Sequence, residues 1–170
     1  MEEAQNRGHK LFYFLPQDLV FSEHQLLCEA HEVLVRRSLG NHYSLGPRIQ
    51  LNLIKDVDIL WLRQDPPFDM SYITSTHLLD FLQNETLVVN DPFWVRNYPE
   101  KILALSYPDL IPPTIVGRNI GMLKSFQRKH GDVIVKPLYG NGGSGVFKIG
   151  RKDANLNSLI ELFQSISNEP

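Results

Sequence analysis

The sequence predicts an α/β protein in which a parallel sheet, built from alternating strands and helices, is followed by a smaller α+β unit. Three observations carry that prediction. Apolar, β-branched runs at 58–62 and 86–89 flank a helix-periodic run at 69–82, which is the strand–helix alternation of a parallel sheet. Asp91 followed by Pro92 is an N-cap with proline at the first helical position, so another helix starts there. Beyond it, Tyr107-Pro108-Asp109 and Ile111-Pro112-Pro113 interrupt the pattern, and the boundary between the two parts is expected between residues 91 and 100.

Taken in order, residues 2–7 read as the end of a helix that stops at Gly8, and 10–15 alternate as a strand. From Leu19 to Val35 two readings stand. Ser22 followed by Gln25 resembles a capping box, while Val20, Phe21 and Val33 to Val35 favour strands. Asp58 to Leu62 is a buried strand, and 69–82 is a helix presenting Tyr72, Thr76 and Leu79 on one face. Thr86 to Val89 and Thr114 to Val116 read as further strands. Asn119 caps a helix with Met122, Leu123 and Phe126 on its inner face, ended by Gly131. Strands are expected at 132–137 and from Val146 to Ile149, then a last helix over 155–166 with Leu156, Leu159, Ile160 and Phe163 at helical spacing.

Composition sets broad bounds. The chain has 170 residues, 42% hydrophobic and 21% charged, which is ordinary for a globular protein. Seventeen basic against nineteen acidic residues leave a net charge of −2, so neither nucleic acid nor an anionic membrane is expected as a partner. The single cysteine, Cys28, precludes an internal disulfide, and no run approaches the ~20 apolar residues of a membrane span. The polar start, Met1-Glu2-Glu3-Ala4-Gln5-Asn6-Arg7, is not a secretory signal, and the expected compartment is the cytoplasm.

The chemistry-bearing segment is Val133 to Ile149, where Lys136 ends an apolar run just before a glycine-rich loop. A Rossmann fingerprint needs its glycines to open a helix, and a P-loop ends in Gly-Lys-Ser/Thr. Here the glycines lead into a strand instead. A strand–loop–strand flap remains, whose glycines let the backbone approach a polyphosphate while Lys136 supplies positive charge. A second string, Arg63-Gln64-Asp65-Pro66-Pro67-Phe68-Asp69, begins where the 58–62 strand ends, the edge at which open α/β sheets bind ligands. Arg63 can hold a carboxylate bidentately, and Asp65 and Asp69 can accept from an ammonium group. Asp69 also suits the N-cap of the next helix, and two prolines stiffen the turn, with room for a cis bond.

Other candidates read as structural. On a helix His24, Cys28 and His31 would share a face and imitate a metal site, but no supporting partners accompany them, and no metal ligand is assigned. Trp61 and Trp94 read as packing residues.

Together, the string from Arg63 to Asp69, Asn90-Asp91-Pro92 leading to Pro99-Glu100-Lys101, and Lys136-Pro137-Leu138-Tyr139-Gly140-Asn141-Gly142-Gly143 resemble the bacterial glutathione synthetases of the ATP-grasp superfamily, over essentially all 170 residues. The resemblance implies a Rossmann-like pre-ATP-grasp domain over 1–95 and the first α+β subdomain of an ATP-grasp fold over 96–170. It implies a ligase that uses ATP and Mg2+ to phosphorylate γ-glutamylcysteine, after which glycine attacks to give glutathione. Lys101 and Lys136 would match the two lysines on the ATP phosphates. Tyr139, Gly140, Asn141, Gly142, Gly143 and Ser144 would match the closing flap, and Arg63, Asp65 and Asp69 would lie near γ-glutamylcysteine. A homo-oligomer formed through the N-terminal domain is also implied. By comparison with that family the chain is expected to lack a first strand, the adenine-contacting hinge, the arginine-bearing peptide loops and the magnesium ligands. Little ligase activity is then expected of the chain alone. The alternative is a non-catalytic binding or assembly module completed by another chain.

Overall fold

The computed structural model describes residues 1–82 and 85–166, and the chain divides into two compact units, Met1–Asn97 and Tyr98–Pro170. The first unit opens with α1 (Glu2–Asn6), β1 (Phe12–Tyr13), β2 (Leu19–Ser22), β3 (Gln25–Val35) and β4 (Tyr43–Asn52). It continues with β5 (Ile59–Trp61), α2 (Met70–Leu79), a 3-10 turn at Asp80–Leu82, β6 (Leu87–Val89) and α3 (Pro92–Asn97).

Among the described residues the expected parallel sheet is present as the single pair β5–β6, in register Ile59↔Leu87 to Trp61↔Val89. The larger sheet is antiparallel, with β1 and β2 on one side of β3 and β4 on the other. The alternation of strand and helix used to infer a parallel sheet begins only at β5. Everything before it is a meander, whose hairpin geometry needs no crossover helix. The two readings of 19–35 resolve to two strands joined at Glu23 and His24, both left-handed (φ 48° and 61°), with Ser22 opposite Gln25. That is the backbone of a two-residue hairpin turn.

β3 carries the core. Leu26, Cys28 and Ala30 point inward, the register then shifts between His31 and Val33, and Val33 becomes the next buried residue. From His31 to Val33 β3 advances by one intervening residue while β4 passes both Gly46 and Pro47, so the extra residue of the bulge lies on β4. Opposite the shift, β4 places Gly46 and Pro47, a position where a missing N–H is tolerated. Leu26, Cys28, Ala30, Leu51, Leu53, Leu60, Leu62, Leu79 and Leu82 form one contiguous cluster. Buried Thr86 donates its hydroxyl to the Leu53 carbonyl at 2.6 Å, tying the entry of β6 to the end of β4. α1 is attached by an amide that imitates a strand, because Gln5 Oε1 accepts from the Val35 N–H and Gln5 Nε2 donates to its carbonyl.

On a strand Cys28 and His31 differ by an odd spacing and do not share the face a helix would have given them. Among the described residues no three His, Cys, Asp or Glu side chains form a group able to hold a metal ion. Burial pushes the Cys28 thiol up to about 11, with the Asp18 carboxylate adding to the rise. Alkylation at pH 8 is therefore expected to run at least about 100-fold slower in the folded chain than in urea, because the thiolate is the nucleophile. Equal rates in the two states, followed by mass spectrometry, would show that the cluster around Cys28 is not closed.

The second unit comprises α4 (Glu100–Leu103), α5 (Ile120–His130), β7 (Val133–Val135), β8 (Phe147–Ile149) and α6 (Leu156–Ile166). Asn119 caps α5 by accepting from the Met122 N–H at 3.0 Å, and Gly131 ends it at φ 84°. β7 and β8 pair antiparallel, Val133↔Ile149 to Val135↔Phe147. Their inner face and the two longer helices enclose Ile149, Leu156, Leu159 and Ile160, against which Ile120, Leu123, Val133, Val135 and Phe163 pack.

Several expectations fail here for physical reasons. Residues 114–116 form no strand, since Pro112 and Pro113 supply no N–H for pairing and the Thr114 hydroxyl turns back to the Pro112 carbonyl. Met122 is 62% exposed, and the inner face of α5 runs through Ile120, Leu123 and Gln127, whose amide donates to the Gly150 carbonyl. In α2 the buried positions are Ser75, Thr76 and Leu79, with Tyr72 only partly covered. Trp61 (57% exposed) and Trp94 (55%) are surface aromatics rather than core packing.

Candidate functional site

In the second unit, the site grows out of the β7–β8 hairpin. Side-chain alternation turns Val133 and Val135 onto the core and leaves Ile134 (57% exposed) and Lys136 on the open face, where Lys148 stands opposite Ile134. Lys136 thus leaves the strand directed into solvent, with no ion pair among the described residues. At the far end of the hairpin the exposed Asp132 carboxylate accepts from the Arg151 N–H at 3.1 Å and from Lys148 Nζ at 3.3 Å. These hydrogen bonds, the backbone one foremost, hold its pKa below the usual carboxylate value.

Between the strands, residues 136–146 form the loop. Ser144 N–H donates to the Asn141 carbonyl at 3.0 Å, and Gly142, Gly143 and Gly145 are left-handed (φ 57°, 78° and 72°). Pro137 packs into the base of the loop. A Cβ on Gly140 would meet its Cγ at 2.5 Å, and one on Gly145 would lie 3.0 Å from its Cδ. At the tip, Cβ atoms on Gly142 and Gly143 would meet nothing within 4 Å. The base therefore needs glycine for space, and the tip needs it for backbone conformation.

Lys101 comes to this loop from α4. Its side chain is partly buried, and Nζ donates to the Gly140 carbonyl at 2.6 Å. Lys101 and Gly140 are 39 residues apart in sequence, and the fold places the ammonium on the loop's first glycine. Tyr139 is partly buried beside it in sequence, and Asn141, Gly142, Gly143 and Ser144 are exposed. A separate groove of about 200 Å³, lined by Lys124, Arg128, Asp153 and Asn157, contains none of these residues.

In the first unit, Arg63 and Asp65 are exposed immediately beyond β5, at the carboxyl end of the parallel pair. The Pro66–Pro67 peptide is cis. Asp69 caps α2, its Oδ1 accepting from the Tyr72 N–H at 2.9 Å, so one of its oxygens is committed to the helix. Sequence reasoning did not single out Arg96, which reaches Asp80 at 2.7 Å and keeps Nη1 buried without a partner among the described residues. An isolated arginine on a six-residue helix carries no sequence signal of that burial.

Comparison with known proteins decides what family this geometry belongs to. Residues 1–96 match the family model for the prokaryotic glutathione synthetase N-terminal domain, and residues 100–170 match that for the prokaryotic glutathione synthetase ATP-grasp domain. The chain belongs to the prokaryotic glutathione synthetase family. It is 47% identical over 168 residues to a glutathione synthetase of Mesorhizobium japonicum, covering 99% of this chain and 53% of that protein. A glutathione synthetase of Brucella melitensis is 48% identical over 168 residues (99% and 54%), and one of Salmonella typhimurium is 35% identical over 167 (98% and 53%). The chain spans about half the length of the curated glutathione synthetases it matches.

Proposed function

We propose that this chain carries the N-terminal domain and the phosphate-holding hairpin of an ATP-dependent carboxylate–amine ligase that makes glutathione from γ-glutamylcysteine and glycine. The observation that supports it most is the Lys101 ammonium seated on the glycine loop whose incoming strand carries Lys136. Two lysines and a run of permissive backbone are what a triphosphate needs: point charges for the phosphate oxygens and amides able to come close. ATP, when bound, supplies the phosphoryl group that activates the cysteinyl carboxylate for attack by the glycine amine. The chain's own part is to hold the phosphates with Lys101 and Lys136 and to cover them with residues 139–144, excluding water that would hydrolyse an activated carboxylate.

In the first unit the proposed contacts to γ-glutamylcysteine are Arg63, through a carboxylate, and Asp65, through the amino group. Asp69 is proposed to combine its helix cap with a supporting place in that loop. The pair β5–β6 is read as part of a Rossmann-like, pre-ATP-grasp sheet, on the strength of that loop's place at its carboxyl end. Magnesium accompanies ATP in this reading. The described residues converge on no set of three metal-ligating side chains, and they are assigned no part in holding it. The proposed setting is the cytoplasm, and the proposed assembly is a homo-oligomer. No helix among the described residues is long and apolar enough to cross a membrane.

Isothermal titration of the chain with ATP tests the reading. Binding is expected to be weak but saturable, and Lys136→Met should raise Kd by about 10- to 100-fold, the worth of one charge-assisted hydrogen bond to phosphate. Absence of saturable binding, or an unchanged Kd in Lys136→Met, would refute it.

A further inference from the structure

The two lysines of the proposed nucleotide site are not equivalent in the ligand-free chain. Lys136 stands in solvent on the open face of the hairpin, whereas Lys101 is partly buried and already spends one N–H on the Gly140 carbonyl. That carbonyl sits at the most constrained point of the loop, where Pro137 leaves no room for a Cβ. Immediately after it, the Asn141–Ser144 turn begins the glycine tip, where Cβ atoms on Gly142 and Gly143 would meet nothing within 4 Å. An ammonium has three N–H donors, so the bond to Gly140 leaves two for an anion arriving over the loop.

We infer that Lys101 is a positioning residue for the glycine loop: it tethers the loop through the Gly140 carbonyl before any ligand binds, and so holds the tip ready to receive a phosphate. This rests on the proposed nucleotide site, but the tether itself exists without nucleotide. Its physical basis is a charge-assisted hydrogen bond between elements 39 residues apart, a partly buried contact that solvent screens less than an exposed pair. Lys136, which makes no such contact, contributes charge alone. Lys101 thereby readies the loop as well as offering donors to the phosphate, and the readying falls to it alone of the two lysines.

Amide hydrogen exchange on the full 170-residue chain, read residue by residue by NMR without nucleotide, tests this. The Ser144 amide, which donates to the Asn141 carbonyl, is the reporter, and the Val133 and Ile149 amides of the β7–β8 hairpin are the folding reference. In Lys101→Met the Ser144 amide should exchange roughly tenfold faster with the reference unchanged, whereas Lys101→Arg should restore much of the protection and Lys136→Met should leave it as it was. Equal exchange in Lys101→Met and the unchanged chain would overturn the tether. Equal acceleration in Lys136→Met would overturn it as well, because both lysines would then act through charge. If Lys101→Met also loosens the reference amides, the Lys101→Arg variant decides: wild-type protection at Ser144 supports the tether, and lost protection with an intact reference refutes it. Adding ATP separates the two ideas. Should Lys101→Met loosen the loop while ATP perturbs no amide in the unchanged chain, the tether stands and the nucleotide reading falls. Should ATP bind while Lys101→Met leaves apo exchange untouched, the reverse holds.

Discussion

Gly140→Ala is expected to lower the chain's affinity for ATP by at least about tenfold and to cost about 1–3 kcal/mol of stability in the unit that contains the loop. The methyl group would be placed 2.5 Å from Pro137 Cγ and 3.3 Å from the Ser144 carbonyl oxygen. Neither neighbour is the free end of a flexible side chain. The proline ring is fixed to the end of β7, and the Ser144 carbonyl belongs to the loop backbone. Relief must come from moving the Gly140 peptide, whose carbonyl accepts from Lys101. One substitution thus disturbs the loop base and the lysine above it. Gly142→Ala is the informative control, since its Cβ meets nothing and only the left-handed backbone (φ 57°) opposes it, at about 1 kcal/mol. Titration calorimetry and thermal melts on both variants check the comparison. Wild-type affinity in Gly140→Ala would mean that the loop base does not shape the site.

Leu26→Ala is expected to destabilise the first unit by about 2–5 kcal/mol, a large share of the total for a unit of this size. Leu26 is fully buried at the start of β3, in the cluster with Leu51, Leu53, Leu60 and Leu82, and its carbonyl accepts from the Leu53 N–H at 2.9 Å. Shortening it opens a cavity between sheet and helix that β3, paired on both sides, cannot collapse to fill. The midpoint of thermal unfolding should fall by at least about 10 °C. Both tryptophans, Trp61 and Trp94, lie in this unit, so their fluorescence follows its melting alone. A midpoint within about 2 °C of the unchanged chain would place the core elsewhere.

How much of this was legible depended on whether a signal was local. Helix caps were read correctly at Asp69, Asp91 and Asn119, because an N-cap needs only its own side chain and the amides two or three residues on. The glycine loop was recognisable for the same reason: a strand, a lysine and permissive backbone in a single run. What escaped depended on partners distant in sequence. β4 was missed because most of its residues are exposed and Gly46 and Pro47 interrupt it, although Tyr43, Leu45, Ile49 and Leu51 keep a strand's alternation. The 19–35 ambiguity came from a hairpin turn made by Glu23 and His24 instead of asparagine and glycine. The extent of the parallel pairing was not legible, because an antiparallel meander and a crossover unit share the same apolar strand composition until pairing is known. The contact of Lys101 with Gly140 spans 39 residues, and no motif announces it.

The emptiness around Gly142 and Gly143 has a further consequence for the integrity of the chain. An exposed peptide that bends through two left-handed glycines is an accessible substrate for a protease, and the bond between them is the natural place for a nick. Such a cut would fall between β7 and β8, strands that stay paired through three residues and share a core with α5 and α6. The two pieces would remain associated after cleavage, so a nicked preparation would elute as intact protein while its loop was severed.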